Sequence, residues 1–137
     1  MIYKWDILKI INQELYNNSF NELEDKVYID KEEELLIITD CIYIRFSYNK
    51  NILYLDEIIL SDKIKGKKVC FNLIGKLIDY CKNSSIELFQ VSSIVSKKMI
   101  NICKYYNMSH SDDAVYGDIS KDYDFDGYLG NMKIITK

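Results

Sequence analysis

Two stretches of the chain place chemically useful groups close together. Asp56 and Glu57 are adjacent carboxylates inside the apolar run Ile52–Leu60. A carboxylate desolvated among Ile58, Ile59 and Leu60 has its pKa raised, toward the strength that a general base needs near neutral pH. Side chains alternate along a regular strand, so the two acids are expected on opposite faces, with at most one turned to a substrate. The competing reading is one exposed acid and one salt-bridged acid. The second stretch is Lys65-Gly66-Lys67-Lys68-Val69-Cys70, at the entry to an amphipathic helix. A helix N-terminus offers unpaired N–H groups and a partial positive charge, and a glycine lets backbone approach a phosphate without a Cβ in the way. The competing reading there is a charged turn that merely starts a helix.

A third cluster lies near the C-terminus. Residues 112–126 hold six aspartates against Lys121 alone, with Tyr116, Tyr123 and Tyr128 interleaved. Asp122-Tyr123-Asp124-Phe125-Asp126-Gly127 begins like a calcium loop, but its twelfth position is Lys133 rather than a bidentate glutamate, so no metal site is assigned. The other readings are a solvated loop and an acidic wall for a cationic amine, with aromatic faces beside it. The four cysteines (Cys41, Cys70, Cys81 and Cys103) form no close pair and sit in apolar periodic stretches, as buried reduced thiols do. His110 is the single histidine and has no cysteine or histidine beside it, which argues against zinc.

The elements that must position these groups are legible in the periodicity. Trp5, Leu8, Ile11 and Leu15 recur at helical spacing over residues 4–17. Strands are expected at Val27–Asp30, Leu35–Thr39, Ile42–Tyr48 and Ile52–Leu60, with short polar connections that suit antiparallel hairpins. Val69, Cys70, Leu73, Ile74, Leu77, Ile78 and Cys81 then form one helical face, ended by Asn83-Ser84-Ser85. A strand at Ile86–Val91 precedes a second helix with Val95, Met99, Ile102, Cys103 and Tyr106 inward, and Asn107 suits a left-handed helix end. Two weaker strands, near Ala114–Ile119 and Met132–Thr136, close the chain. The unit Ile52–Val91 is strand, helix, strand, so its two strands should be parallel. The fold class expected is α/β with a mixed (α+β) sheet: an antiparallel meander leading into one βαβ crossover, helices on both faces, all in a single domain spanning 1–137.

Composition narrows the function. The 137 residues carry a net charge of −3, which argues against a broad nucleic-acid surface, and with Arg45 as the single arginine in a lysine-rich chain, clusters of lysine carry little weight. No apolar run approaches the roughly 20 residues of a membrane span, and the first residues lack a signal-peptide layout, so a cytoplasmic location is expected.

The stretch Leu53–Cys70 resembles the fourth strand and pyrophosphate loop of the GNAT N-acetyltransferase superfamily. It looks most like the polyamine and diamine branch, where an acidic pair follows Tyr-Leu at this distance. The resemblance covers about 60 residues, through the following helix, strand and helix. It implies acetyl-CoA as cofactor, held at Leu60, Lys65, Gly66, Lys67, Lys68, Val69 and Cys70. It implies Asp56 or Glu57 as base, and it puts Cys103 where the family has a tyrosine that protonates the departing thiolate. Where the family has its glycines, this chain has Lys68 and Cys70. The activity implied is transfer of an acyl group to a small-molecule amine or a protein lysine, with a homodimer as a compatible assembly and neither nucleic acid nor membrane as partner. The alternative is a GNAT-like module without catalysis, acting through protein interaction.

Overall fold

The computed structural model describes residues 2–17, 27–28, 34–38, 42–61, 64, 68–111 and 129–137. The order of elements is α1 (Ile2–Asn17), β1 (Val27–Tyr28), β2 (Glu34–Ile38), β3 (Ile42–Asn49), β4 (Ile52–Leu60), α2 (Val69–Lys82), β5 (Leu88–Val91), α3 (Lys97–Tyr105), β6 (Ser109–His110) and β7 (Met132–Ile135). Among the described residues the strands build a seven-stranded mixed sheet in the order β1-β2-β3-β4-β5-β7-β6. β1 to β4 pair as an antiparallel meander, β4 and β5 are parallel, and β7 runs antiparallel between β5 and β6. The expected meander and βαβ unit are both present.

The β3–β4 hairpin shows how local sequence sets register. Lys50 and Asn51 have φ of 52° and 66°, and they link the paired residues Asn49 and Ile52. Two consecutive left-handed residues make the tight turn whose twist matches that of paired strands. Residues directly opposite share a face, so the pairing puts Leu35, Ile37, Ile44, Phe46, Leu53, Leu55, Phe89 and Val91 on one side of the sheet. All are buried. α1 adds Ile7, Ile11 and Leu15 to this cluster, and α2 adds Leu73, Ile74, Leu77, Ile78 and Cys81. Each such fully buried aliphatic or aromatic side chain contributes roughly 1.5–3 kcal/mol by leaving water.

α1 lies antiparallel beside α2, and polar contacts fix their alignment. Lys76 Nζ and Asn72 Nδ2 donate to the two oxygens of the nearly buried Glu14 at 2.7 and 3.1 Å. One turn from the other end, Tyr80 OH donates to Asp6 at 3.0 Å. The inward face of α1 differs from the expectation: Trp5 is 61% exposed, while Lys4, Ile7 and Ile11 are buried. Val95 also departs from it. It precedes α3 and is exposed, and Ile94 and Ile100 take the buried positions. Helix α3 starts on Ser96, whose Oγ accepts from Met99 N–H. It ends as expected on left-handed Asn107 (φ 65°), where Asn107 N–H reaches Lys104 C=O and Met108 N–H reaches Cys103 C=O. The two-residue β6 (Ser109–His110) is too short to carry a periodic signal in the sequence. The strand expected at Ala114–Ile119 and the aspartate-rich stretch 112–126 lie outside the described residues, as does Cys41. No described helix is long and apolar enough to cross a membrane.

Candidate active site

The parallel strands β4 and β5 separate partway along. Their ladder runs from Ile52–Leu88 to Leu55–Val91, with a final bond from Ser92 N–H to Leu55 C=O at 2.9 Å. Beyond it the chain after β5 is drawn toward β7. Ser93 N–H binds Asn131 Oδ1 (2.8 Å), Ile94 N–H binds Gly130 C=O (3.0 Å), and Leu129 N–H binds Ile94 C=O (2.6 Å). β4 meanwhile continues to Leu60 against β3. Among the described strands, the stretch Asp56–Leu60 therefore has a partner on one side only, and a wedge opens on the other.

A cavity of about 280 Å³ lies at the end of β4, lined by Leu60, Ile64, Lys68, Val69, Cys70, Phe71, Lys98 and Ile102. It brings together the end of β4, the first turn of α2 and one side of α3. Lys68 is the N-cap of α2 in a left-handed conformation (φ 58°, ψ 25°), and its side chain makes no capping bond. The contrast with α3, capped by its own Ser96, is informative: among the described residues no side chain caps the first turn of α2, which borders the cavity. Lys68 and Lys98 add two cations to the lining. The Ser61 hydroxyl, at the end of β4, is buried without a hydrogen-bond partner among the described residues.

Four residues expected to hold a cofactor, Leu60, Lys68, Val69 and Cys70, do meet in this lining. Lys65, Gly66 and Lys67 lie outside the described residues. Ile64, Phe71 and Lys98 carry no sequence signal for this site, and Ile102 is legible only as an inward helix position. Ile64 is fully buried just after β4, yet a lone isoleucine among polar turn residues gives no periodic signal. Lys98 is indistinguishable in the sequence from other lysines of a lysine-rich chain.

The acid pair is arranged differently from the alternation rule. The β3–β4 ladder pairs Arg45 with Glu57 but Phe46 with Leu55, so Asp56 is an extra residue in a β-bulge. The bulge shifts the strand's phase by one residue. Asp56 and Glu57 then both come within reach of Arg45, whose Nη1 is 3.8 Å from Asp56 Oδ2 and whose Nε is 3.6 Å from Glu57 Oε1. The expectation that they point to opposite faces is thus corrected. Ser47 Oγ donates to Asp56 Oδ2 at 2.6 Å. The Asp56 side chain is 19% exposed and that of Glu57 44%. Burial raises the Asp56 pKa. The Ser47 hydrogen bond and the Arg45 charge pull it back, and the negative charges of Glu34 and Glu57 push it up again.

Cys103 falls elsewhere. It is 0% exposed and absent from the cavity lining. Burial, with Cys70 nearby, pushes its thiol up to about 12. This is the buried reduced thiol that the apolar periodicity around Cys103 leads one to expect. Burial likewise lifts the half-buried Cys70 thiol to about 11, against the opposing charge of Lys98. Tyr106 OH is committed to Phe71 C=O at 2.9 Å. Phe71, Tyr105 and Tyr106 form a ring cluster with centroids 4.8–5.1 Å apart. Among the described residues no group of three metal-ligating side chains occurs.

No protein-family model matches the chain, and no curated protein sequence is similar to it. Solved structures do match in three dimensions. Spermidine N-acetyltransferase from Vibrio cholerae, in a dodecameric structure, superposes with a TM-score of 0.56 at 10% identity, over 94% of this chain and 88% of that one. Tetrahymena GCN5 superposes at 0.52 and 13% identity, over 100% and 88%. A GNAT-superfamily phosphinothricin acetyltransferase from Sinorhizobium meliloti, solved with AcCoA, superposes at 0.50 and 14% identity, over 74% and 60%. The chain has the fold of the GNAT N-acetyltransferases.

Proposed function

We propose that residues 1–137 form one GNAT-like domain that acts as an acetyl-CoA-dependent N-acyltransferase, with a small amine or a lysine side chain as acceptor. The observation that carries this reading is the parting of β4 from β5 after Leu55–Val91, with a cavity lying against the uncapped start of α2. The residues suit two parts of the proposed cofactor, its diphosphate and its extended pantetheine arm. First-turn amides that no described side chain caps, with Lys68 and Lys98, suit a diphosphate, and the side of Asp56–Leu60 that is unpaired among the described strands suits an extended chain bound by backbone hydrogen bonds. Bound there, an acyl-CoA supplies the activated acyl carbonyl, and this chain's residues do the rest.

An alkylammonium attacks nothing until it loses a proton. Asp56 accepts that proton, because partial burial strengthens it as a base while 19% of its side chain stays exposed. Glu57, more exposed and on the same side of the strand, holds the charge of the incoming amine. Solvent reaching the cleft returns the proton to the departing sulfur. The acetyltransferases that share the fold support the choice of reaction. The Vibrio neighbour is dodecameric, so association of copies of this chain, in the simplest case a homodimer, belongs to the proposal and light scattering tests it. A cytoplasmic site of action belongs to it as well.

The test is thermal melting against acetyl-CoA, followed by thiol release with a panel of polyamines and lysine peptides. Cofactor at a hundredfold excess over Kd stabilises the native state by about 2.7 kcal/mol, a melting shift of several degrees. No shift at millimolar acetyl-CoA would remove the acyltransferase reading.

A further inference from the structure

The hydrogen bond between Ser47 and Asp56 has a directional consequence. Both partners from β3 converge on one carboxylate oxygen: Ser47 Oγ donates to Oδ2 at 2.6 Å, and Arg45 Nη1 stands 3.8 Å from that same atom. No hydrogen bond from the described residues reaches Oδ1. We propose that Ser47 is a positioning residue that, with Arg45, pins Oδ2 of Asp56 and so presents Oδ1 to the acceptor amine. This role rests on the acyltransferase reading above.

The β-bulge is what makes the contact available. Ser47 faces Tyr54 across the ladder and Arg45 faces Glu57, so Asp56 belongs to neither pair and leans between them. A carboxylate free to turn about its last torsion would share its lone pairs among solvent, Ser47 and Arg45. A short charge-assisted bond to one oxygen removes that freedom, and such bonds are roughly twice as strong as neutral ones. Arg45 is too distant for a hydrogen bond and acts on the acids as a charge. Its separation from Glu57 Oε1 is similar, 3.6 Å, so it steadies the pair without taking the lone pairs an ammonium needs. The charged groups around Asp56 are Arg45 on β3, Glu34 on β2 and Glu57 on its own strand. On the β5 side, Ser92, which donates its N–H to Leu55 C=O, is neutral.

The variants Ser47→Ala and Ser47→Thr, compared with the wild-type chain, test this in two measurements. Carbon NMR of the Asp56 carboxyl reads its titration in the protein alone. Steady-state transfer reads kcat/KM against pH with an amine that the wild-type chain accepts. In S47A the Asp56 titration is expected to move to higher pH, because a bond that favours the charged form is gone. The acid limb of kcat/KM should move with it, and the rate should fall about tenfold, mainly in kcat. S47T keeps the hydroxyl and should restore both. An active wild type whose S47A variant shows an unmoved Asp56 titration overturns the Ser47 role alone, as does a loss that tracks melting temperature and is not rescued by threonine. A wild-type chain with no transfer to any amine overturns the acyltransferase reading and this role together.

Discussion

Gly75 in α2 and Tyr106 at the end of α3 are in such close apposition that a Cβ on residue 75 would lie 2.6 Å from the tyrosine hydroxyl oxygen and 2.8 Å from its ring carbon Cζ. The same hydroxyl donates to Phe71 C=O, one turn back along α2. The absence of a side chain at position 75 is therefore what lets α3 rest its last turn on α2. Phe71, which the tyrosine holds from behind, lines the proposed cofactor cavity.

Replacing Gly75 by alanine should destabilise the protein even though alanine is the better helix former. Alanine gains about 1 kcal/mol of helix propensity. Against this stand displacement of Tyr106, loss of its hydrogen bond and local overpacking, together about 2–4 kcal/mol. The expected net loss is ~1–3 kcal/mol, read as a lower midpoint in urea. Tyr106→Phe removes the hydrogen bond alone and should cost about 1 kcal/mol. A G75A protein as stable as wild type would mean that the two helices do not need this contact.

At Lys68 the expectation has the opposite sign for stability. A residue with a Cβ in the left-handed region carries a cost of roughly 1 kcal/mol, and Lys68 sits there without a capping bond to offset it. Lys68→Gly should raise the melting temperature slightly while weakening acetyl-CoA binding, since a cation in the lining is lost. Calorimetry paired with melting separates the two effects. A variant that loses stability and binding together would show that the lysine side chain holds the turn.

The pH dependence of Asp56→Asn follows from the direction of its shift. The folded-state pKa of Asp56 is raised above the usual 3.8, chiefly by burial. A raised acid favours the native state at low pH, where it is protonated in both states, and loses that contribution as pH climbs through its folded value. Asparagine is neutral throughout. The stability of D56N relative to wild type should therefore improve from below pH 4 up to pH 7, even as transfer activity falls. Chemical denaturation at the two ends of this range decides the point. A stability difference independent of pH would mean that the carboxylate is as well solvated in the fold as in the unfolded chain.

The sequence carried the regular elements well and the irregular ones poorly, for physical reasons. β4 and α2 were readable to their ends because Ile52–Leu60 is bounded by turn residues and the α2 face repeats at helical spacing over Val69–Cys81. Trp5 and Val95 misled because apolar residues are frequent on surfaces, so spacing alone does not say which of two adjacent positions faces inward. The bulge at Asp56 left no mark in the residue types. It exists because β3 and β4 slip by one residue between Arg45 and Phe46, a relation between strands rather than within one. The acid pair was found and its common facing was not. Cys103 was placed correctly in a helix, but its full burial depends on how α3 meets α2, and Gly75 and Tyr106 settle that contact from 31 positions apart.

The left-handed pair Lys50–Asn51 and the extra residue at Asp56 together divide β4 into two independently adjustable halves. The hairpin locks the first half, so that Leu53 and Leu55 face inward. The inserted residue resets the parity for the second. A mutation that removed the slip would not simply straighten the strand. With every residue of β4 kept, it would reverse the facing of everything from Glu57 to Leu60, turning Glu57 toward the core that Ile58 and Leu60 now pack against. Loop length at one end and a single surplus residue in the middle thus act like two dials, one for the interior and one for the chemistry.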